Sequence, residues 1–242
     1  MISSARKTAR LIVPKALFTV SLLFWGYSTF SQSRASPPSG CGTLYSVGQY
    51  GPYDYRTDRD KLPIVEGAHF TAAVEALIRG TTSARPGGDI DYTLRAIPNN
   101  HRALMAMVRL GEREKTTQPS GSRYSIDCWF ERATLFRPDD AIVRMIYSSY
   151  LNTKNRIPEA SQQLEMATTY AKDSGFTHYN IGLHHFDLKN YDKALAQAHA
   201  AMALGFAQTG LRDQLLSVGK WVEPINPLNP QTLDPVPITQ PR

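Results

Sequence analysis

Histidine is the side chain whose grouping most suggests chemistry in this sequence. Four of the six histidines, His178, His184, His185 and His199, lie in one short stretch. His178 and His185 are seven residues apart and would share a helical face. The adjacent His184 and His185 cannot both face one metal, and no His-Glu-x-x-His motif, cysteine pair or carboxylate stands at ligand spacing. The sequence therefore predicts packed or solvent-facing histidines, with no metal site.

Other catalytic motifs are also missing from the sequence. It has no Gly-x-Ser-x-Gly turn, no glycine-rich phosphate loop before a lysine and no alternating strands that would build an α/β site. Asp139 and Asp140 could be read as paired catalytic carboxylates, but they stand where a helix N-terminus favours negative charge. We therefore predict no catalytic residue and no cofactor.

The basic charge of the chain is concentrated at its N-terminus. The formal net charge is +6, from 27 Lys and Arg against 21 Asp and Glu. Residues 1–40 contain five of the basic residues and no acidic one, which leaves 22 basic against 21 acidic residues in the remainder. Nucleic-acid binding needs an excess of cations on the folded domain, so the sequence predicts no nucleic-acid partner.

The N-terminal residues have the three parts of an export signal. A basic stretch ends at Lys15, residues 16–33 are uncharged, and Ser33 and Ala35 are small residues at the positions that a signal peptidase reads. Residues 1–35 are therefore predicted to be a signal peptide or an uncleaved membrane anchor with its basic end in the cytoplasm. Both alternatives give a periplasmic or exported protein that meets the membrane only through this segment.

Two flanking segments differ in composition from the rest. Residues 36–65 form a predicted linker and aromatic cap, in which Tyr50, Tyr53 and Tyr55 either cover the open end of the following domain or form an exposed contact surface. Residues 222–242 hold six of the 16 prolines and few large apolar residues. They are predicted to be a disordered, proline-rich tail.

Between these flanks the sequence repeats every 34 residues. Ala194, Ala198 and Ala201 have the same spacing as three residues 34 positions earlier, and a further step of 34 gives a third set. The spacing of four then three residues marks one stripe of an α-helix, and its small residues allow a second helix to approach closely. The two earlier sets are Ala160, Leu164 and Ala167, and Ile126, Phe130 and Ala133.

The repeat resembles the tetratricopeptide repeat. Residues 175–208 carry its Asn-Ile-Gly sequence in the first helix, Tyr191 before the second helix, and Ala194 and Ala201 at the two small positions. The resemblance implies an all-α fold of stacked helical hairpins, an α-solenoid, over residues 66–221, with residues 141–174 and 175–208 as the best repeats. The arrangement is also similar to exported bacterial proteins with such repeats, often named as transporters.

The earlier repeats are less regular. The sequence predicts helices at Ala68–Ile78 and Ile90–Ile97, then at His101–Leu110 and Tyr124–Phe136. A polar insertion at Glu112–Ser122 separates the last two helices.

In the usual arrangement of this repeat, the first helix of each hairpin lines a concave surface. That surface would form an apolar groove for an extended peptide or a partner's helix. The resemblance also implies that Asn180 could hold the backbone of a bound peptide. The predicted groove residues are Ile142, Met145, Ser149, Asn152, Phe176, Tyr179, Asn180 and Leu183. For most of those in the second hairpin the alternative is a place in the core, because aromatic residues at helical spacing are usually buried.

The two cysteines are predicted to form a disulfide. Cys128 points about 200° away from the buried stripe of its helix, and Cys41 lies in the segment that would fold over the repeats. An oxidising compartment would join them, and a free thiol at each position is the alternative.

These features predict a noncatalytic adaptor for protein–protein interaction in the bacterial cell envelope. Such an adaptor would help to assemble or stabilise an export, polysaccharide or secretion apparatus. The alternative is an envelope hydrolase or metal-dependent enzyme whose site is built from dispersed residues.

Overall fold

A computed structural model describes residues 40–45 and 50–224. The predicted leader at residues 1–35, most of the linker, residues 46–49 and all but three residues of the predicted tail lie outside this described part. All regular structure in the described residues is helical, which confirms the all-α fold class for them. The helices are α1 Leu62–His69, α2 Ala72–Glu75, α3 Pro86–Ala96, α4 His101–Glu114, α5 Ile126–Phe136, α6 Ala141–Thr153, α7 Ile157–Ala171, α8 Gly175–Asp187, α9 Tyr191–Ala203 and α10 Gly210–Ser217.

Two helical hairpins with the same layout make up residues 141–203. Helix α6 packs against α7, and α8 packs against α9. The first helices start 34 residues apart, at Ala141 and Gly175, and so do the second helices. Asn155 and Lys189 occupy equivalent places in the short connections, where both have a left-handed backbone with φ of 57° and 59°. The same local turn therefore reverses the chain in each hairpin.

The predicted small-residue stripe forms the contact within these hairpins. Its three residues in α7 are fully buried, and those in α9 have at most 5% of their surface exposed. Gly182 of α8 is close to α9, because a Cβ added there would lie 3.2 Å from Gln197 Cβ, and it would also clash with Leu211 of α10. The equivalent residue Ser148 of α6 is also buried. Close approach between helices therefore depends on small side chains at these positions.

The helices before α6 depart from the predicted boundaries. No single helix spans Ala68–Ile78, because the backbone leaves helical geometry at Phe70 and Thr71 and separates α1 from α2. Helix α3 starts four residues earlier than predicted, with Pro86 at its first position. Pro86 has a fixed φ and needs no hydrogen bond from its nitrogen at this position, so it suits a helix start.

Helix α4 begins at the predicted His101, where the Asn100 side chain accepts a hydrogen bond from the backbone N–H of Ala103 at 3.1 Å. It continues past the predicted end and into the polar insertion, since it ends at Glu114. Helix α5 begins two residues later than predicted, after Ser125 caps the Cys128 N–H at 3.3 Å.

The aromatic segment packs against the start of the helical domain. Tyr50, Tyr53 and Tyr55 are partly buried around a small apolar cluster formed by α1 and the end of α3. This arrangement matches the capping alternative. At the other end, the sequence analysis missed α10, whose Leu211 and Leu215 pack on α8 and α9. No helix within the described residues is both long and apolar enough to span a membrane.

Candidate functional site

A surface cavity of about 370 Å³ lies between α4, α6 and α8. These are the first helices of successive helical pairs, so the cavity lies on the side where the sequence predicted a groove. Its wall combines three apolar side chains from α4 and α6 with six polar or ionisable ones. The lining residues are Met105, Val108, Arg109, Glu112, Ile146, Ser149, Tyr150, Thr153 and His184.

The lining residues of the cavity differ in exposure and in ionisation. Met105 remains 39% exposed, whereas the Tyr150 ring is buried and its hydroxyl donates to Asp127 Oδ2 at 3.0 Å. Burial raises the pKa of Tyr150, and the Asp127 charge raises it further. Burial lowers the pKa of His184 despite nearby Asp187, so this imidazole is neutral at pH 7. The apolar part of the lining, Met105, Val108 and Ile146, can accept an apolar side chain of a ligand.

Only one of the four predicted groove residues of α6 lines the cavity. Ser149 lines the cavity, and Ile142 lies exposed one turn before the lining residue Ile146. Met145 is only 6% exposed and belongs to the main core, so its assignment to the groove is wrong. Asn152 is half-buried and does not line the cavity. The next residue, Thr153, does line it. Ile146 and Thr153, which line the cavity, each follow a predicted position by one residue, whereas Ser149 belongs to both surfaces.

The predicted groove residues of α8 do not line the cavity either. Tyr179 and Leu183 pack into the cluster that α10 completes with its two leucines. Phe176 is 58% exposed and contacts the Phe206 ring, with 5.8 Å between centroids. The assignment of Tyr179 and Leu183 to an open groove is wrong because α10 covers them, whereas Phe176 is exposed but lies outside the cavity lining.

Asn180 takes a local role in the structure. Its side-chain amide donates to the Phe176 carbonyl at 2.8 Å within its own helix. The residue of α8 that does reach the cavity is His184, one of the four histidines in the predicted cluster.

A second depression of about 590 Å³ adjoins the first along α4. Arg109 lines both, so the two form one continuous surface from α2 across α4 to α6 and α8. Arg109 Nη2 donates to the Glu75 carbonyl at 3.2 Å, and Arg113 Nη1 donates to the Leu77 carbonyl at 2.7 Å. The lining residues are Ala72, Glu75, Ala76, Leu77, Arg109 and Arg113.

The four clustered histidines do not converge on one point. The two ring nitrogens of His178 lie 2.7 Å from Gln197 Oε1 and 2.9 Å from the Lys172 carbonyl. His199 contacts the Val222 carbonyl, while His185 is buried with no hydrogen bond to Nδ1. Burial lowers the pKa of His185 to about 4.

Only one group of three potential metal ligands occurs in the described part of the chain. It consists of Cys41, Cys128 and Glu131. Cys41 and Cys128 are joined in a disulfide, the pairing predicted above. Bonded sulfurs have no thiolate to offer a metal, so this group is not a metal centre.

Residues 40–45 are attached to α5 by more than the disulfide. The buried guanidinium of Arg132 donates from Nη1 to the carbonyls of Cys41 and Thr43, at 2.9 and 2.8 Å. It also lies over the rings of Tyr124 and Trp129, 5.1 and 5.5 Å from their centroids. These contacts provide the buried guanidinium of Arg132 with hydrogen-bond acceptors and with aromatic faces.

Asp140 caps helix α6, as predicted, and its carboxylate also contacts side chains that precede α5. Its Oδ1 accepts from the backbone N–H groups of Ile142 and Val143 at 3.2 and 3.3 Å. The His101 ring and the Asn99 amide also contact this carboxylate, at 2.9 Å each. Burial opposes ionisation, but these partners outweigh it and lower the pKa of Asp140.

Asp54 shares the same buried network. Asn99 Nδ2 donates to Asp54 Oδ1 at 2.7 Å, and Arg137 Nε lies 2.8 Å from Oδ2. Arg56 lies between the carboxylates of Asp54 and Asp140, at 3.0 and 3.5 Å. This network joins the aromatic segment to the starts of α4 and α6, and the sequence analysis identified only its helix cap.

His69 and Asp89 form a second His–Asp pair, which the sequence did not predict. His69 Nδ1 is 3.0 Å from Asp89 Oδ1, and the ring stacks on Tyr92 with 3.8 Å between centroids. The buried carboxylate also accepts from the backbone N–H groups of residues 81–83. The Thr82 hydroxyl lies 2.8 Å from His69 Nδ1 and also donates to Asp89 Oδ1, so it joins the two side chains.

Comparison of the chain with protein-family models, with curated proteins and with solved structures finds no match.

Proposed function

We propose that this protein is a noncatalytic adaptor of the bacterial cell envelope that binds a peptide segment or helix of a partner protein. The binding site is the cavity between α4, α6 and α8. The observation that carries the proposal is the partly exposed apolar surface of Met105 and Ile146, contributed by two helices that share one cavity. Burying such a surface would release water from it and would favour association.

The regularity of α6 to α9 supports the solenoid part of the proposal. The 34-residue register, the buried alanines and the repeated left-handed connections fit tetratricopeptide-like hairpins. Stacked hairpins bind partners through surfaces that several repeats build together. The cavity has this character, because no single hairpin supplies its walls.

The location in the envelope rests on the leader at residues 1–35, which precedes the described residues. The disulfide supports an oxidising compartment, where such bonds persist. A role in an export, polysaccharide or secretion apparatus follows from this location and from the binding surface.

The test uses a photoreactive amino acid placed in the cavity of the full chain, in the cells that make it. Ser149 is exposed and lines the cavity, so the probe there should form a discrete adduct with the partner. Gln162 is exposed on α7, away from the cavity, and serves as the matched control position. An equal adduct pattern at both positions, or no adduct at Ser149, would contradict the proposal.

A second arm changes the cavity itself. Ile146→Asp places a charge against an apolar partner surface and should abolish the adduct. Ile142→Asp introduces the same charge one turn earlier, at an exposed residue outside the cavity lining, and the adduct should still form. Circular dichroism would verify that both variants fold. Met145 and Tyr179 are unsuitable for this test because both pack in apolar clusters.

A further inference from the structure

Helix α4 carries three exposed arginines, and two of them, Arg109 and Arg113, line the continuous surface formed by the two depressions. Arg102 makes a two-point ion pair with Glu75. Arg109 and Arg113 instead donate to the backbone carbonyls of residues 75 and 77. Within the described residues neither of these two guanidinium groups forms an ion pair with a carboxylate.

Each of these two arginines therefore keeps its full charge and several unused donors. A guanidinium has five N–H donors, and the contacts with carbonyls use one in Arg109 and one in Arg113. Their exposure to solvent leaves the remaining donors open to a ligand. Guanidinium groups bind carboxylates in a bidentate geometry that ammonium groups cannot match.

The unpaired charges along the continuous surface are mainly positive. Its charged lining residues are Glu75, Arg109, Glu112 and Arg113, and the Glu75 carboxylate is already paired with Arg102. Within the described residues, two guanidinium groups without an ion pair thus face one such carboxylate, that of Glu112. Lys154, beside the first cavity, lies over the Tyr150 ring at 5.6 Å from its centroid.

We infer that the partner segment is acidic and apolar together: a peptide that places a large apolar side chain in the cavity over Ile146 and an Asp or Glu side chain against Arg109 and Arg113. This inference rests on the proposed function, since it uses the same cavity. It commits to a peptide because the apolar site and the guanidinium groups adjoin at Arg109, which lines both depressions. One short segment can therefore reach both.

The test measures binding of the full chain to an array of ten-residue peptides of randomised sequence. Bound peptides should be enriched in Asp or Glu within a few positions of Leu, Ile or Phe. The double variant Arg109→Glu and Arg113→Glu should weaken the best peptides by at least about tenfold and shift the preference toward Lys and Arg. Glu112→Gln, which removes an opposing charge at the cavity edge, should strengthen them.

Two further variants guard against a loss of folding. Arg109→Gln keeps a donor for the Glu75 carbonyl while removing the charge, and it should still weaken acidic peptides. Arg85→Glu reverses an exposed arginine just before α3, away from both cavities, and should leave binding unchanged.

The outcomes separate the two proposals. Apolar peptides bound without acidic enrichment would overturn this inference and leave the adaptor function standing. Acidic enrichment that persists in the double variant would also overturn it, because the acidic site would then lie elsewhere. A chain that binds no peptide at all would overturn both.

Discussion

Residues 141–203 and the described residues before them are held together by different interactions. The later region is two regular hairpins joined through a stripe of buried alanines. The earlier region contains all but three of the buried polar and charged side chains in the described chain, together with the disulfide. Small apolar side chains are enough to hold helices together where the hairpins repeat in register. The irregular helices of the earlier region are held together by directional polar contacts as well.

The difference has a consequence for tolerance to mutation. Added volume at a contact between small residues should lower the free energy of unfolding only moderately, because neighbouring side chains can shift to accept it. A buried polar network fails abruptly, since removing one member leaves the others desolvated and unpaired. The two regions should therefore respond differently to single substitutions.

The largest effect is expected from Asp140→Ala in the earlier network. The substitution leaves His101, Asn99 and Arg56 without their shared acceptor and removes the cap of α6. We expect the free energy of unfolding to fall by about 4 kcal/mol, measured by urea denaturation. Asp139→Ala is the matched control, because its exposed ion pairs should contribute less than about 1 kcal/mol. Equal losses in the two variants would contradict the role of the buried network.

The next effect is a loss of stability on acidification, caused by His185 in the later region. Its pKa is lowered by burial to about 4, whereas an unfolded histidine titrates near 6.5. Between these values the unfolded chain binds a proton that the folded chain does not, so stability falls as the pH is lowered from 6.5 to 4 and is constant above 6.5. The full loss is about 3 kcal/mol.

His185→Gln should flatten this part of the pH profile, as followed by thermal melting. The lowered pKa values of Asp54, Asp89 and Asp140 act in a separate window, below the ordinary carboxyl pKa of 3.8. Parallel profiles for the variant and the natural chain between pH 6.5 and 4 would assign the acid sensitivity to other groups.

The smallest effect is expected from overpacking the alanine stripe. Ala194→Leu adds volume to a fully buried contact between α8 and α9 and should cost about 2 kcal/mol. Ala203→Leu, at the exposed end of the same helix, should change stability by less than about 0.5 kcal/mol. Calorimetric melting temperatures of the two variants provide the comparison. A melting temperature unchanged by Ala194→Leu would argue against close helix packing there.

The sequence predicted the later hairpins well because their determinants are local and periodic. The spacing of Ala160, Leu164 and Ala167 defines a helical stripe without reference to the rest of the chain. Asp140 is likewise recognisable as a cap from its immediate neighbours. Helix α10 was missed because its first residue is a glycine and only two of its residues, Leu211 and Leu215, become buried.

The polar network and the cavity could not be predicted in this way. Asn99 meets Asp54 and Asp140 across 45 and 41 residues of sequence, and no local pattern relates amides and carboxylates at such separations. The cavity was displaced by one residue, from Met145 to Ile146, because both are large apolar residues of one helix. Only the packing of neighbouring helices decides which of them faces the core.

The disulfide between Cys41 and Cys128 also determines how the molecule would carry mechanical load. A force applied at the N-terminal end of the chain passes at Cys41 directly into α5, across a sequence separation of 87 residues. The intervening helices α1 to α4 lie within the closed covalent loop and bear none of that tension. About 300 Å of contour length would therefore stay hidden in a pulling experiment until the bond is reduced.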